Sequence, residues 1–173
     1  MTIQAPLSPS ETVPALSHGS LQEEIQQSRP FHSPNQEAVL GLFRTTDIVR
    51  RQYMQLLREH DITLQQYNVL RILRGAGDQG LPTLTIAERM VEHAPGITRL
   101  IDRLERKGWV QRDRSAGDRR RVLCRITPAG LAILSEADTP IEHLDGECLG
   151  MLDEDEVRFL IKILDRVRLD SPD

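Results

Sequence analysis

Residues 95–107 set Ile97, Leu100, Ile101 and Leu104 at i, i+3, i+4 and i+7, which places four apolar side chains on one face of a helix. Thr98, Arg99, Asp102, Arg103 and Arg106 fall on the other face. Pro95 stands where a first helical residue is expected, and Gly108 where a helix ends. Directly behind, residues 109–112 and 121–126 read as two short strands joined by a polar turn over 114–118. In front, Thr85 and Glu88 have the spacing of a capping box, opening a short helix with Leu84, Ala87 and Met90 inward. Two short helices in close succession, then a hairpin, make a winged helix-turn-helix pattern. The expected fold class is therefore mainly α with a small β-hairpin wing.

The flanks read as helix. Between 35 and 60, Val39, Leu42, Phe43, Val49, Tyr53, Leu56 and Leu57 recur at three and four, the pattern of one long amphipathic helix. Thr63 and Gln66 cap a second, with Tyr67, Leu70 and Leu73 as its stripe and an end near Gly75. Thr127 and Pro128 restart a helix whose stripe is Leu134, Ala137, Ile141, Leu144 and Cys148, and Pro140 is expected to kink it. Asp153 and Glu156 open the last helix, with Val157, Leu160, Ile161, Leu164 and Val167 inward. Residues 1–34 hold five of the ten prolines and no apolar periodicity, so they read as a flexible Pro/Ser-rich tail with at most a short helix near 21–27.

Several function classes fall away. No window approaches the roughly 18 consecutive apolar residues of a membrane helix. No Lys or Arg precedes Arg29, so a secretory n-region is missing and a cytoplasmic protein with no membrane partner is expected. Cys124 and Cys148 are too few for a disulfide framework or a four-thiolate zinc site. The five histidines are not grouped with a nucleophile, and there is no Gly-rich phosphate loop, so neither catalysis nor a cofactor is expected. The formal charge of -4 conceals a division: from Arg99 to Arg125 ten bases face four acids, a local +6, which leaves -10 elsewhere. Nine of those ten bases are Arg, whose planar fork grips phosphate or a guanine edge through two hydrogen bonds. A basic helix followed by an Arg-rich hairpin tip points to double-stranded DNA.

The motifs Leu64-Gln-Gln-Tyr67, Leu84-Thr-Ile-Ala-Glu88, Ile97-Thr-Arg-Leu-Ile-Asp102, Asp118-Arg-Arg120 and Ile126-Thr-Pro-Ala-Gly130 resemble, in order and spacing, the MarR (multiple antibiotic resistance) family of transcription regulators. The resemblance covers most of residues 37–168. It implies a recognition helix with Pro95, Gly96, Thr98, Arg99 and Arg103 facing the major groove. In the wing it implies Arg120 in the minor groove and Asp118 orienting a guanidinium, with Arg119 and Arg112 on phosphates and Arg114 as an additional base. It also implies a homodimer on a pseudo-palindromic operator. The division then becomes 1–34 tail, 35–62 N-terminal dimerisation helix, 63–127 winged domain and 128–173 C-terminal dimerisation helices. The apolar stripes outside the winged domain exceed what it can cover, in agreement with that arrangement.

Regulators of this kind respond to a small effector such as an aromatic acid or phenol, which implies a ligand-responsive repressor. A ligand-independent DNA binder or activator, and a winged-helix protein-interaction module, are the alternatives. Cys124 and Cys148 read as buried thiols, and His143 with Glu147 as an exposed pair and no metal site. Arg50, Tyr53 and His60 lie near the join between the long helix and the winged domain, where they read first as structural residues, with the lining of a pocket as the alternative.

Overall fold

Reciprocal capping fixes where several helices start. A computed structural model describes residues 19–114 and 122–169, apart from the Arg114 side chain. The described residues form two compact units, divided between Asp47 and Ile48. In the first, Ser20 and Glu23 make a capping box for the four-residue helix α1 (Leu21–Glu24), and α2 (Pro34–Glu59) begins. Arg44 of α2 pairs with Glu24 at 2.6 Å. The expected tail over 1–18 lies outside the described residues.

In the second unit, α2 ends and α3 (Leu64–Ala76) starts on the expected box: Thr63 Oγ1 accepts from the Gln66 amide, and the Gln66 side chain accepts from the Thr63 amide. That reciprocity is why Gln66 tolerates burial. Gly77, not Gly75, caps the far end. A 3₁₀ turn (Gly77–Gln79) leads into a two-residue strand β1 (Leu81–Pro82), which the sequence did not reveal. Helix α4 spans Thr83–Glu88 with Pro82 as its N-cap, so the expected Thr85/Glu88 box does not form. Proline's fixed φ favours a start three residues earlier than that box requires, which carries Thr85 inside the helix. The register turns with it: Ile86 is buried, whereas Leu84, expected inward, is 71% exposed.

Helix α5 (Ile97–Arg106) presents Leu100, Ile101 and Leu104 to the core. It closes in a Schellman motif, with the Trp109 amide on the Leu104 carbonyl at 3.0 Å and the Gly108 amide on that of Glu105 at 2.9 Å; Gly108 takes the left-handed conformation (φ 73°) this requires. Strands β2 (Val110–Arg114) and β3 (Val122–Ile126) pair antiparallel from Val110↔Ile126 to Arg114↔Val122, and β1 adds to the outer edge of β3. The expected turn lies outside the described residues beyond Arg114. Helix α6 (Pro128–Cys148) follows with Thr127 as N-cap and continues through Pro140, burying Leu134, Ala137, Ile141 and Leu144 as expected. Asp153 and Glu156 exchange two 2.9 Å bonds to open α7 (Glu154–Leu169). No residue of α7 is buried: Val157, Leu160 and Leu164 are half-covered, and Ile161 and Val167, expected inward, are exposed. The core joins α3, α4, α5, the strands and α6 through Leu70, Leu73, Ile86, Ile101, Leu104, Val110 and Leu134.

Candidate nucleic-acid interface

The start of α5 differs from the expectation in one respect with chemical consequences. Pro95 is not the first helical residue; Gly96 is the N-cap, in the left-handed region at φ 88°. A side chain is disfavoured there on conformational grounds alone, since an added Cβ would meet nothing. No side chain caps this end, and the first backbone bond of the helix runs from the Leu100 amide to the Gly96 carbonyl. The amides of Ile97, Thr98 and Arg99 thus point outward at the positive end of the helix dipole. A cleft of about 190 Å³ lies against this end, lined among others by Gln65, Pro95, Gly96, Arg99 and Arg103. Thr98, Arg99 and Arg103 are exposed, so Pro95, Gly96, Thr98, Arg99 and Arg103 share one accessible surface.

The other bases are placed differently. Arg112, expected on a phosphate, turns inward from β2: Nη1 lies 2.6 Å from Asp102 Oδ1 and 3.0 Å from Glu105 Oε2, and Nη2 donates to the Thr98 carbonyl at 3.3 Å. Burial lowers its pKa, and the bond to Asp102 with the charges of Glu105 and Asp102 more than reverses this, so it stays raised. Lys107 donates to the Asp61 carbonyl (2.6 Å) and carboxylate (2.7 Å) and lies 4.3 Å from the Trp109 ring centre. Arg125 donates to Asp113 and to the Asp78 carbonyl, tying β3 to β2 and to the turn before β1. Arg114 is placed at the end of β2 by its backbone, next to the wing tip. Asp118, Arg119 and Arg120 lie outside the described residues.

A larger cavity of about 600 Å³ runs from the end of α2 to α5. Arg50, Arg58, Arg103 and Lys107 line it with Asp61 and Glu92, over an apolar floor that includes Met54, Ile62 and Leu100. Arg50, for which the sequence favours a structural role, is among these lining residues. Tyr53 instead donates to Asp145, and His60 Nδ1 lies 3.8 Å from Glu136. Arg58, Asp61, Glu92 and Lys107 went unread, because nothing in their spacing brings three separate elements together. Among the described residues no group of three or more His, Cys, Asp or Glu could hold a metal ion; His143 and Glu147 form an exposed 3.2 Å pair. Cys124 is buried, and Cys148 is half-buried with its thiol on Gln52 Oε1 at 3.1 Å. Burial, then Asp145 and Glu147, raises the Cys148 pKa, which disfavours the thiolate. Among the described residues no helix is long and apolar enough to cross a membrane.

Known proteins share this arrangement. The MarR family model matches residues 62–122, the span from the start of α3 to β3. The multiple antibiotic resistance protein MarR of Salmonella typhimurium is 31% identical over 134 residues, covering 75% of this chain and 92% of the relative. The crystal structure of a MarR transcription factor from Planctomyces limnophilus is 40% identical with a TM-score of 0.61, over 79% of this chain and 98% of that one. A mutant MarR from E. coli, solved in complex with operator DNA, is 30% identical with a TM-score of 0.63, over 75% and 95%. The winged helix-turn-helix between flanking helices, and the likeness along nearly the whole length of these relatives, make this chain a member of the MarR family.

Proposed function

We propose that this protein is a homodimeric transcription regulator that binds a pseudo-palindromic operator and is released by a small organic anion. The observation carrying DNA recognition is the uncapped start of α5, with outward amides on Ile97, Thr98 and Arg99 and the guanidinium-bearing Arg99 and Arg103 exposed beside them. That combination suits a phosphate at the helix end and base edges along the groove. In the complex Pro95, Gly96, Thr98, Arg99 and Arg103 face the major groove. The family's Asp-x-Arg motif assigns Asp118, Arg119 and Arg120 to the same interface, with Arg120 to the minor groove and Arg114 as an additional base. The relative solved in complex with operator DNA supports DNA as the partner.

Dimerisation through α2, α6 and α7 is supported by their surplus apolar surface, which includes Phe43 at 70% exposure on α2 and Phe159 and Ile161 near one half on α7. The effector reading is supported by Arg103, which lines both the cleft at the start of α5 and the 600 Å³ cavity. A carboxylate held by Arg103 in the cavity competes with a phosphate for the same guanidinium. Arg50 pairs with Glu92 at 2.9 Å and Lys107 with Asp61 at 2.7 Å, so the charge of Arg58 and Arg103 is left in excess over an apolar floor, which matches an aromatic acid better than an uncharged phenol.

The test is an electrophoretic shift on the duplex upstream of the protein's own gene, titrated in salt. A dimer making about 6–10 phosphate contacts loses roughly 10³–10⁵ in affinity between about 50 and 200 mM salt. Benzoate at constant ionic strength weakens the shift and phenol does so less. A shift insensitive to salt refutes DNA recognition, and one sensitive to salt but not to benzoate leaves a ligand-independent regulator.

A further inference from the structure

An element that lies against a polyanion gains nothing from carboxylates, yet α5 carries Asp102 and Glu105. Both are spoken for: with the Thr98 carbonyl they form three acceptors at i, i+4 and i+7 that converge on the single guanidinium of Arg112. The Arg112 side chain is only 22% exposed, and its residue pairs with the buried Cys124 in the middle of the β2–β3 ladder, so its base is anchored to the sheet. Leu100, Ile101 and Leu104 hold α5 to the core by contacts that have no preferred direction. They resist separation far more than rotation of the helix about its axis or sliding along it. Forked hydrogen bonds to acceptors spread over two turns do resist those motions.

We propose that Arg112 is a positioning residue that fixes the rotation and height of α5 against the wing, and that Asp102 and Glu105 are retained on the reading helix to be its partners. The proposal rests on the DNA-recognition reading above and refines it: Arg112 is not itself a phosphate ligand. Its cluster of one guanidinium and two carboxylates sums to a negative charge, which repels phosphate. The geometry that Arg112 enforces is felt where base edges must be met and not where any duplex is gripped by charge.

The experiment compares Arg112→Ala, Arg112→Lys, Asp102→Asn and the Arg112→Ala/Asp102→Asn double variant with the native full-length protein. One probe is the duplex that the native protein selects from a randomised library, and the other is poly(dI·dC). Circular dichroism establishes that each variant is folded, and if Arg112→Ala is not, Arg112→Lys and Asp102→Asn carry the test. Each single variant is expected to lose about tenfold on the selected duplex. Poly(dI·dC) binding and the salt slope should be unchanged for Arg112→Lys, and the double variant should be no worse than the worse single one. Asp102→Asn is the decisive sign, because deleting a negative charge beside DNA strengthens binding unless that charge holds the helix in place. If Asp102→Asn binds the selected duplex as tightly as the native protein or more so, the positioning role is overturned. It is equally overturned if Arg112→Ala weakens both probes alike and lowers the salt slope by about one, while Arg112→Lys restores both, since that is the behaviour of a phosphate contact. If the native protein selects no duplex and shows no salt-sensitive binding, the DNA reading itself fails and the positioning role falls with it.

Discussion

Gly130 sits in the first turn of α6, where most residues would serve the helix better, and the structure states why it is glycine. A Cβ added there would lie 2.3 Å from the Trp109 carbonyl oxygen, 2.9 Å from Ile126 Cγ1 and 3.1 Å from the Trp109 carbonyl carbon. The nearest of these is backbone, and it is fixed, because the same carbonyl accepts the Thr127 amide at 3.0 Å. Gly130→Ala must therefore push α6 away from the residue that joins α5 to β2 by roughly an ångström. Overpacking of this kind costs about 1–3 kcal/mol, and losing the Thr127–Trp109 bond adds about 1 kcal/mol. The gain in helix propensity from Gly to Ala returns about 1 kcal/mol. The balance is a destabilisation of about 1–3 kcal/mol. Gly75→Ala is the control: it is also helical but exposed, and its Cβ would meet nothing within 4 Å, so the propensity term acts alone and stabilises by about 0.5–1 kcal/mol. Urea unfolding followed by circular dichroism, at one protein concentration throughout, reads both. With a slope of about 2 kcal/mol/M, Gly130→Ala lowers the midpoint by roughly 0.5–1.5 M and Gly75→Ala raises it slightly. A Gly130→Ala midpoint at or above that of the native protein would refute the close approach of α6 to Trp109.

Thr127 Oγ1 accepts from the Gly130 amide at 3.1 Å and donates to the Gly108 carbonyl at 2.6 Å, so one hydroxyl joins the start of α6 to the end of α5. Thr127→Val keeps the shape, removes both bonds and should cost about 1–3 kcal/mol in thermal unfolding; an unchanged melting temperature would count against that double role. The two tyrosines make a pH prediction: burial, then Asp145, raises the Tyr53 pKa, and burial raises that of Tyr67. Their neutral forms are favoured in the folded state, so this stability is complete below about pH 10, the unfolded value, and is lost as the pH rises through the folded values. An ultraviolet titration should show little phenolate at about pH 10 in the folded protein and about half ionisation once it is unfolded in urea. Arg103→Ala should weaken binding to the selected duplex and also blunt the response to benzoate, because that side chain borders both cavities. Loss of only one of the two effects would separate the effector cavity from the reading surface.

The features legible in the sequence are those whose cause lies within a few residues. The stripe of Ile97, Leu100, Ile101 and Leu104, the stop at Gly108, the Thr127 cap and the Asp153/Glu156 box each follow from short-range spacing, and each is present. Strand β1 was illegible because two residues carry no periodicity and its pairing partner, β3, lies some forty residues on. The start of α4 failed because Thr85 with Glu88 and Pro82 offer competing signals, and proline prevailed. Pro95 misled in the opposite sense: it has the chemistry of a first helical residue, but Gly96 behind it adopts the left-handed conformation and delays the helix to Ile97. Of the candidate site, the exposed α5 residues could be read from periodicity, whereas the inward turn of Arg112 could not. Which carboxylate a long guanidinium meets is decided by the crossing of β2 over α5, a tertiary fact.

That distinction changes what the local charge of +6 means. Charge density on a segment measures attraction to a polyanion, but gripping a phosphate needs guanidinium donors that are not already satisfied. Lys107 is held by Asp61, Arg112 by Asp102 and Glu105, and Arg125 by Asp113. Within the basic segment, every described acid is thus a partner of a base that builds the domain. Exposed Arg99 lies in the first turn of α5, the end where its backbone amides also face outward, and exposed Arg103, in the last turn, lines the cleft against that same end. Arg99 and the positive end of the helix dipole thus coincide at the start of α5, while Lys107 ties its far end to the α2–α3 turn and Arg112 ties the helix to the sheet along its length. On the proposed DNA reading, a helix anchored at its far end and along its inner side presents its free amides and Arg99 to a groove in a single orientation, and that orientation is what would convert a basic surface into one able to discriminate among sequences.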